Sequence, residues 1–144
     1  MTGIELHVHP MVVHFPIALF VCALVFEVLS LAFKNESYHR TALNLYVLAA
    51  IVAPLVVWTG LEEAKKVHLV SHPVFNVHKS FALATMSFSL LSLLVLWVFK
   101  RKINRSFRLI LLICLLSAVS LVSIAAYNGG RLVYDYGIGI EDEK

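Results

Sequence analysis

Two histidine motifs of similar layout stand directly before long apolar runs of this chain. The first extends from His9 to His14 and the second from His72 to His78, and in each a proline follows the first histidine. Imidazole is the commonest metal ligand among side chains, and it titrates near neutral pH. The two motifs therefore predict a metal or haem site between two halves of the protein.

The first candidates for ligands are His14, about one turn inside the first apolar run, and His78, at the matching place before the third run. Ionisable side chains are rare within a membrane span and usually face a partner or a cavity. Two neutral imidazoles on facing helices suit the two axial positions of a haem iron. The alternative is that both histidines lie at the membrane interface and bond to loop backbone.

His9 and His72 each precede a proline, so their backbone is expected to be extended rather than helical. They are candidates for ligands of a second centre, for partners of haem propionates, or for residues that orient the ligands. His7 and His68 are weaker candidates for metal ligands. Copper, zinc and iron all bind imidazole, so the spacing leaves a non-haem metal site open.

The elements that must hold these residues are membrane-spanning helices. Of the 144 residues, 60% are hydrophobic and 15% are charged, whereas soluble proteins carry about 25% charged residues. A helix of roughly 20 apolar residues crosses a bilayer. Four runs meet this length, at residues 11–33, 41–60, 80–99 and 107–127. The sequence therefore predicts an all-α membrane protein with a four-helix transmembrane bundle.

Residues 1–144 are predicted to form one domain with an outer loop at 61–79 and an outer tail at 128–144. Basic residues favour the cytoplasmic side of a membrane, and they concentrate in the two loops after the first and third runs. These residues are Lys34, Arg40, Lys100, Arg101, Lys102 and Arg105. We therefore expect a multi-pass membrane protein with both termini outside. Six of the seven histidines then lie outside, and His39 alone is expected to be solvated in an inner loop.

The two halves of the chain have a similar layout. His14 precedes Lys34 by 20 residues, and His78 precedes Lys100 by 22. Each half ends its second run with an aromatic residue two positions before a glycine. This pattern predicts a two-plus-two parallel repeat about a pseudo-two-fold axis, which would place His14 opposite His78. The alternative is chance similarity between apolar helices.

Glu27 is the acidic residue that lies within a predicted span, near its inner end. An intramembrane carboxylate is a candidate functional group. We expect it to pair with Arg40, Arg105 or Arg108 as a structural lock, and a place in a proton path is the alternative.

The tail is expected to fold over the outer mouth of the bundle, where Arg131 and Tyr134 would reach carboxylate groups of a bound cofactor. The net charge of +3 arises in the inner loops, so no nucleic-acid partner is predicted. The sequence shows no nucleophile–base arrangement and no phosphate-binding loop. An electron carrier or redox subunit is therefore favoured over a stand-alone enzyme, and an accessory subunit without a cofactor stays open.

Both ends of the chain carry extended motifs, the segment from His9 to Leu19 and the segment from Gly129 to Gly139. Together with Glu27, they resemble the domain-of-unknown-function 2231 family of bacterial four-span membrane proteins. Members occur joined to c-type cytochrome or Rieske-like domains, so the resemblance implies a redox role like that of cytochrome b, in a bacterial inner membrane. The combined expectation is one or two b-type haems near the outer surface. The expected partners are the lipid bilayer, a quinol or an extracytoplasmic redox protein, and a second copy in a homodimer.

Overall fold

The structure is a computed structural model, and it describes residues 8–66, 69–99 and 105–138. Helices make up almost all of this part of the chain, and no strand occurs in it. The elements are α1 (Val8–Val12), α2 (His14–Phe33), α3 (Glu36–Lys66), a 3₁₀ turn (Leu69–Ser71), α4 (Pro73–Phe99) and α5 (Arg105–Tyr134).

Four helical segments of the described ranges are long and apolar enough to cross a membrane. They contain 26 to 31 residues, and their mean hydropathies are 2.0 to 2.8. A bilayer requires about 20 apolar residues in a helix. At most a third of each apolar window is buried inside the bundle, so most apolar side chains face outward, as contact with lipid requires. The prediction of an all-α, four-span membrane bundle is confirmed.

The helices continue past the predicted spans at the end of the bundle that holds the histidine motifs. α3 runs to Lys66, α4 begins at Pro73 and α5 ends at Tyr134. Hydropathy detects the apolar part of a helix, whereas backbone hydrogen bonding continues through polar residues as well. An ion pair between Lys65 and Glu62, 2.7 Å long, lies in the last turns of α3. Much of the segment 61–79 is therefore helical.

The helices form two antiparallel hairpins that close into a ring. α2 packs on α3 and α4 packs on α5, while contacts between α2 and α5 and between α3 and α4 join the hairpins. The core contains Phe20, Tyr46 and Leu115, which are fully buried. Small buried residues, such as Ala49 and Ala118, allow the helices to approach closely.

The two ends of the bundle differ in their chemistry. One end, called the histidine end below, contains His9 and His78. The other, called the basic end, contains Lys34, Arg40 and Arg108. Because the number of long helices is even, the first and last described residues both lie at the histidine end.

Buried positions recur in the two halves at a separation of 69 residues. The pairs are Phe20 with Ser89, Ala23 with Ser92, Ala42 with Leu111, Tyr46 with Leu115, and Ala49 with Ala118. This recurrence supports a parallel repeat, which stays a prediction. It also gives the repeat a different register, because alignment of His14 with His78 would need a separation of 64 residues.

Candidate functional site

His9 and His78 lie side by side at the histidine end. Their ring centroids are 6.3 Å apart, and the ring planes are inclined by 79°. His9 belongs to α1, which packs on α3, and His78 lies about one and a half turns inside α4. Both side chains are half-buried. The structure thus joins one histidine of the first motif with one of the second.

Each ring uses its Nδ1 atom in a hydrogen bond to a backbone carbonyl. His9 Nδ1 lies 3.1 Å from Val56 O, and His78 Nδ1 lies 2.8 Å from Ala125 O. A carbonyl oxygen only accepts, so Nδ1 carries the proton of each neutral ring and donates it. Among the described residues neither Nε2 atom has a hydrogen-bond partner. Both imidazoles are therefore held in the tautomer that ligates a metal through Nε2.

A glycine faces each ring. A Cβ atom added to Gly60 would lie 2.8 Å from His9 Cε1, and one added to Gly129 would lie 3.1 Å from His78 Cε1. Each glycine stands four residues after the carbonyl that its histidine contacts, so both lie on one face of the same helix. The rings reach the helix carbonyls because no side chain occupies these two positions.

The two glycines are site residues that the histidine motifs alone do not reveal, although the sequence carries a signal for them. Each histidine lies 47 residues before its carbonyl partner, and therefore 51 residues before its glycine. The equal spacing in the two halves is visible in the sequence once His9, rather than His14, is aligned with His78.

A cavity of about 620 Å³ opens beside the two histidines. Apolar side chains, such as Ile17, Phe75 and Leu132, form most of its wall, and Glu63 lies at its edge. Sites for cofactors and other small molecules typically enclose about 300–1,000 Å³ and combine apolar walls with a few polar groups. The cavity has the size and the lining of such a site.

His14 lies outside this arrangement, against the expectation that it faces His78. Its side chain is exposed, and its Nδ1 atom bonds to Pro10 O at 2.9 Å. A five-residue step from His9 turns about 140° on a helix, so the two rings point in different directions. His14 reaches the rim of the cavity, which it lines together with Tyr134.

His9 is helical, so the expectation of an extended backbone is wrong. Pro10 lies in the first turn of α1, where a missing backbone N–H removes no helix hydrogen bond. The backbone N–H of His9 donates to Glu63 Oε2 at 3.2 Å. The carboxylate thereby fastens the start of α1 to the last turns of α3.

His72 lies directly before α4, and its ring packs on Tyr136 with 4.6 Å between the centroids. Its carbonyl accepts the N–H of Asn76 in the first turn of the helix. It does not pair with His9 and does not line the cavity. His7 and His68 lie outside the described residues.

Arg131 and Tyr134 occupy the last turns of α5 rather than a tail that follows the helix. Arg131 Nε donates to Asp135 Oδ2 at 3.0 Å, and its side chain is directed to that partner rather than to the cavity. Tyr134 is 87% exposed. Past the helix, Gly137 adopts φ +66° and Ile138 packs back against Leu132, so the end of the described chain does cover part of this end.

The described residues contain no group of three or more His, Cys, Asp or Glu side chains placed to hold a metal ion. The family model for predicted membrane proteins named DUF2231 matches residues 5–142. The chain belongs to the DUF2231 family. The match spans all four helices and both histidine motifs, as the resemblance of the two end motifs predicts. Comparison with curated proteins and with solved structures gave no match.

The basic end of this DUF2231 protein contains a buried pair that the sequence analysis did not foresee. His39 Nδ1 lies 2.8 Å from Glu27 Oε2, and both side chains are 0% exposed. His39 is therefore not solvated, and among the described side chains Glu27 pairs with His39 rather than with Arg40 or Arg108, while the side chain of Arg105 lies outside the described part of the chain. The physical reason is the short connection between α2 and α3, which leaves His39 in the first turns of α3 and facing the core.

Arg108 does not bond to Glu27, which the sequence offered as its partner. It donates to Ser30 Oγ at 2.8 Å and to Glu36 Oε1. Ser30 lies one turn after Glu27 on α2, so the guanidinium lies near the buried pair without bonding to it. Its positive charge is balanced by Glu36 at the surface.

Proposed function

We propose that this membrane protein binds one b-type haem between His9 and His78 and serves as a one-electron carrier. The observation that supports this proposal is the position of the two rings, 6.3 Å apart. A metal bound to two imidazoles on opposite sides, at about 2 Å from each nitrogen, places the ring centres roughly 6 Å apart. Two histidines on separate helices are a usual axial pair for haem.

The contacts around the rings suit this role. Nδ1–H donation to Val56 and Ala125 fixes each ring and raises the basicity of Nε2. The bare faces of Gly60 and Gly129 allow both rings to lie close to their helices. The largely apolar cavity beside them would receive the macrocycle.

A haem fits the described residues better than the rival metals do. Copper, zinc or non-haem iron requires three or four ligands, most of them from the protein. The described ranges hold no such group of three side chains. Haem requires only two axial ligands from the chain, because the macrocycle supplies the other four. A second haem would need another facing pair, and His14 and His72 do not form one.

A haem held here supplies a one-electron redox centre near one membrane surface. The basic end carries the residues that favour the cytoplasm, so we place the histidine end outside. The electron donor is then a membrane quinol or a redox partner, and the acceptor is an extracytoplasmic redox protein. The role of the chain is to hold the two imidazoles neutral and fixed.

The experiment is an optical spectrum of the purified protein from cells supplied with haem, together with the haem-to-protein ratio. We expect a Soret band that sharpens on reduction and a ratio near one. His9→Ala and His78→Ala should each lose the band, because each removes one of two ligands. His14→Ala and His72→Ala are the matched controls and should retain it.

Two results would contradict the proposal. One is a protein without a Soret band that carries stoichiometric copper, zinc or iron by elemental analysis, which would favour a non-haem metal site. The other is a protein that holds neither haem nor metal, which would favour an accessory subunit. Loss of the band in His14→Ala with retention in His9→Ala would instead move the ligand to the other histidine of the first motif.

A further inference from the structure

The Glu27–His39 pair lies far from the histidine end and has no part in haem binding. Both side chains are 0% exposed, and they meet at 2.8 Å across the α2–α3 contact. The ring of His39 also lies 5.7 Å from the ring of Phe107 on α5. Burial of two ionisable groups in a membrane bundle is costly, and such groups are commonly functional.

Two atoms of the pair have no hydrogen-bond partner among the described residues, Glu27 Oε1 and His39 Nε2. In the pair with one negative charge, His39 Nδ1–H donates to the carboxylate. Nε2 then offers a lone pair, and Oε1 is a second basic site. A proton can bind at either atom without breaking the 2.8 Å hydrogen bond.

The described charged side chains near the pair lie at the same end of α2, α3 and α5. They are Lys34, Glu36, Arg40 and Arg108. Residues 80–99 of α4 contain no ionisable side chain. Arg108 bonds to Ser30, one turn from Glu27, and its positive charge is paired with Glu36 at the surface. Among the described side chains, the hydrogen bond between Glu27 and His39 is therefore the only polar contact of the pair.

We infer that Glu27 and His39 form a proton-binding site inside the bundle, near the basic end, which takes up and releases one proton. The proton adds to His39 Nε2 or Glu27 Oε1 and comes from the aqueous side at the basic end. No electron or other reactant takes part. The inference is independent of the haem proposal, because it uses none of the residues at the histidine end.

The test is a titration of protein labelled with ¹⁵N-histidine, held in lipid nanodiscs and followed by magnetic resonance. The Nε2 signal of His39 is assigned by its loss in His39→Gln. We expect it to change from an unprotonated to a protonated ring nitrogen in one step as the sample is titrated downward from about pH 8. In Glu27→Gln the ring should stay unprotonated during the same titration, because a neutral amide does not stabilise the imidazolium.

Glu62→Gln is the matched control, because it removes a carboxylate at the opposite end and should leave the step unchanged. Helix content by circular dichroism shows whether each variant folds. The titration of the wild-type protein tests the inference even if Glu27→Gln does not fold. A His39 Nε2 signal that does not change during that titration overturns the inference. A step that persists unaltered in a folded Glu27→Gln protein overturns it as well, because the pair would then not share the proton.

Discussion

The positions of the His9 and His78 imidazoles depend on the absence of side chains at two glycines as well as on hydrogen bonds to two carbonyl groups. Each ring lies over a glycine and donates to the carbonyl four residues earlier. A helix carbonyl already accepts the N–H of the residue four positions later, so a second donor must approach over that residue. Only a glycine leaves the approach open, which explains why the pattern occurs twice.

Gly60→Ala and Gly129→Ala should therefore weaken haem binding. The added methyl group would lie 2.8 Å from the ring of His9, too close for the ring to stay in place, and 3.1 Å from the ring of His78, which would have to move by a few tenths of an ångström. Forced overpacking of this kind costs about 1–3 kcal/mol, which corresponds to roughly a fivefold to 150-fold loss of affinity. The measurement is titration of the haem-free protein with haemin.

Gly130→Ala provides the control at the residue scale, because nothing lies within 4 Å of the added Cβ. Alanine is favoured over glycine in a helix by about 1 kcal/mol, so this variant should keep both histidine rings in place and melt no lower than the parent. Equal losses of haem affinity in all three variants would show that the positions of the rings do not depend on the missing side chains at Gly60 and Gly129.

At the scale of the elements, α1 is the critical piece, because it carries a ligand but has only five residues. So short a helix is not stable by itself. It is fixed at both ends, by Glu63 at the backbone of His9 and by the bond from Val13 N to His9 O, which leads into α2. The position of the imidazole therefore depends on the end of α3.

Glu63→Ala should loosen α1 while leaving the four long helices in place. Loss of a capping acceptor costs about 0.5–2 kcal/mol, so we expect haem affinity to fall several-fold and helix content to stay constant. Glu62→Ala removes only a pair in which Lys65 and Glu62 are 64% and 47% exposed, and such pairs contribute about 0–1 kcal/mol. Equal haem affinity in Glu63→Ala and Glu62→Ala would show that the carboxylate does not fix α1.

The helices and their order follow from hydropathy alone, because four long apolar runs leave few other structures in a bilayer. The candidate site can be predicted from the sequence only in part. The sequence identifies both motifs and His78, but it does not show which face of the first helix points inward, and so does not show that His9, rather than His14, lies beside His78. That choice depends on contacts of α1 with α3, which lie about 50 residues apart in sequence.

The same reason explains the basic end. His39 is predicted to be solvated if it lies in a loop between the first and second spans, together with Lys34 and Arg40. In the structure α2 ends at Phe33, Lys34 adopts the left-handed conformation with φ 53°, and α3 begins at Glu36. So tight a turn places His39 on the core face of α3. Loop length, which hydropathy does not give, decides between solvent and core.

For the whole molecule, the two ends carry different chemistry, with a proposed haem at one and a proposed proton site at the other. Each proposed site lies near one surface of the membrane and exchanges electrons or protons with the aqueous phase on that side. The orientation of the bundle therefore decides whether that phase is the cytoplasm or the outside. Basic residues in short loops favour the cytoplasm. The histidine end is therefore expected outside, and electrons would leave the protein on that side.

Cysteine labelling of intact cells tests this orientation. In a background with Cys22 and Cys114 replaced by serine, Ser71→Cys places an exposed thiol at the histidine end and Ser37→Cys places one at the basic end. A membrane-impermeant maleimide should label Ser71→Cys in intact cells with a permeable outer envelope, and should label Ser37→Cys only after the membrane is opened. The reverse pattern would place the histidine pair on the cytoplasmic side, and its electron acceptor would then be a cytoplasmic protein.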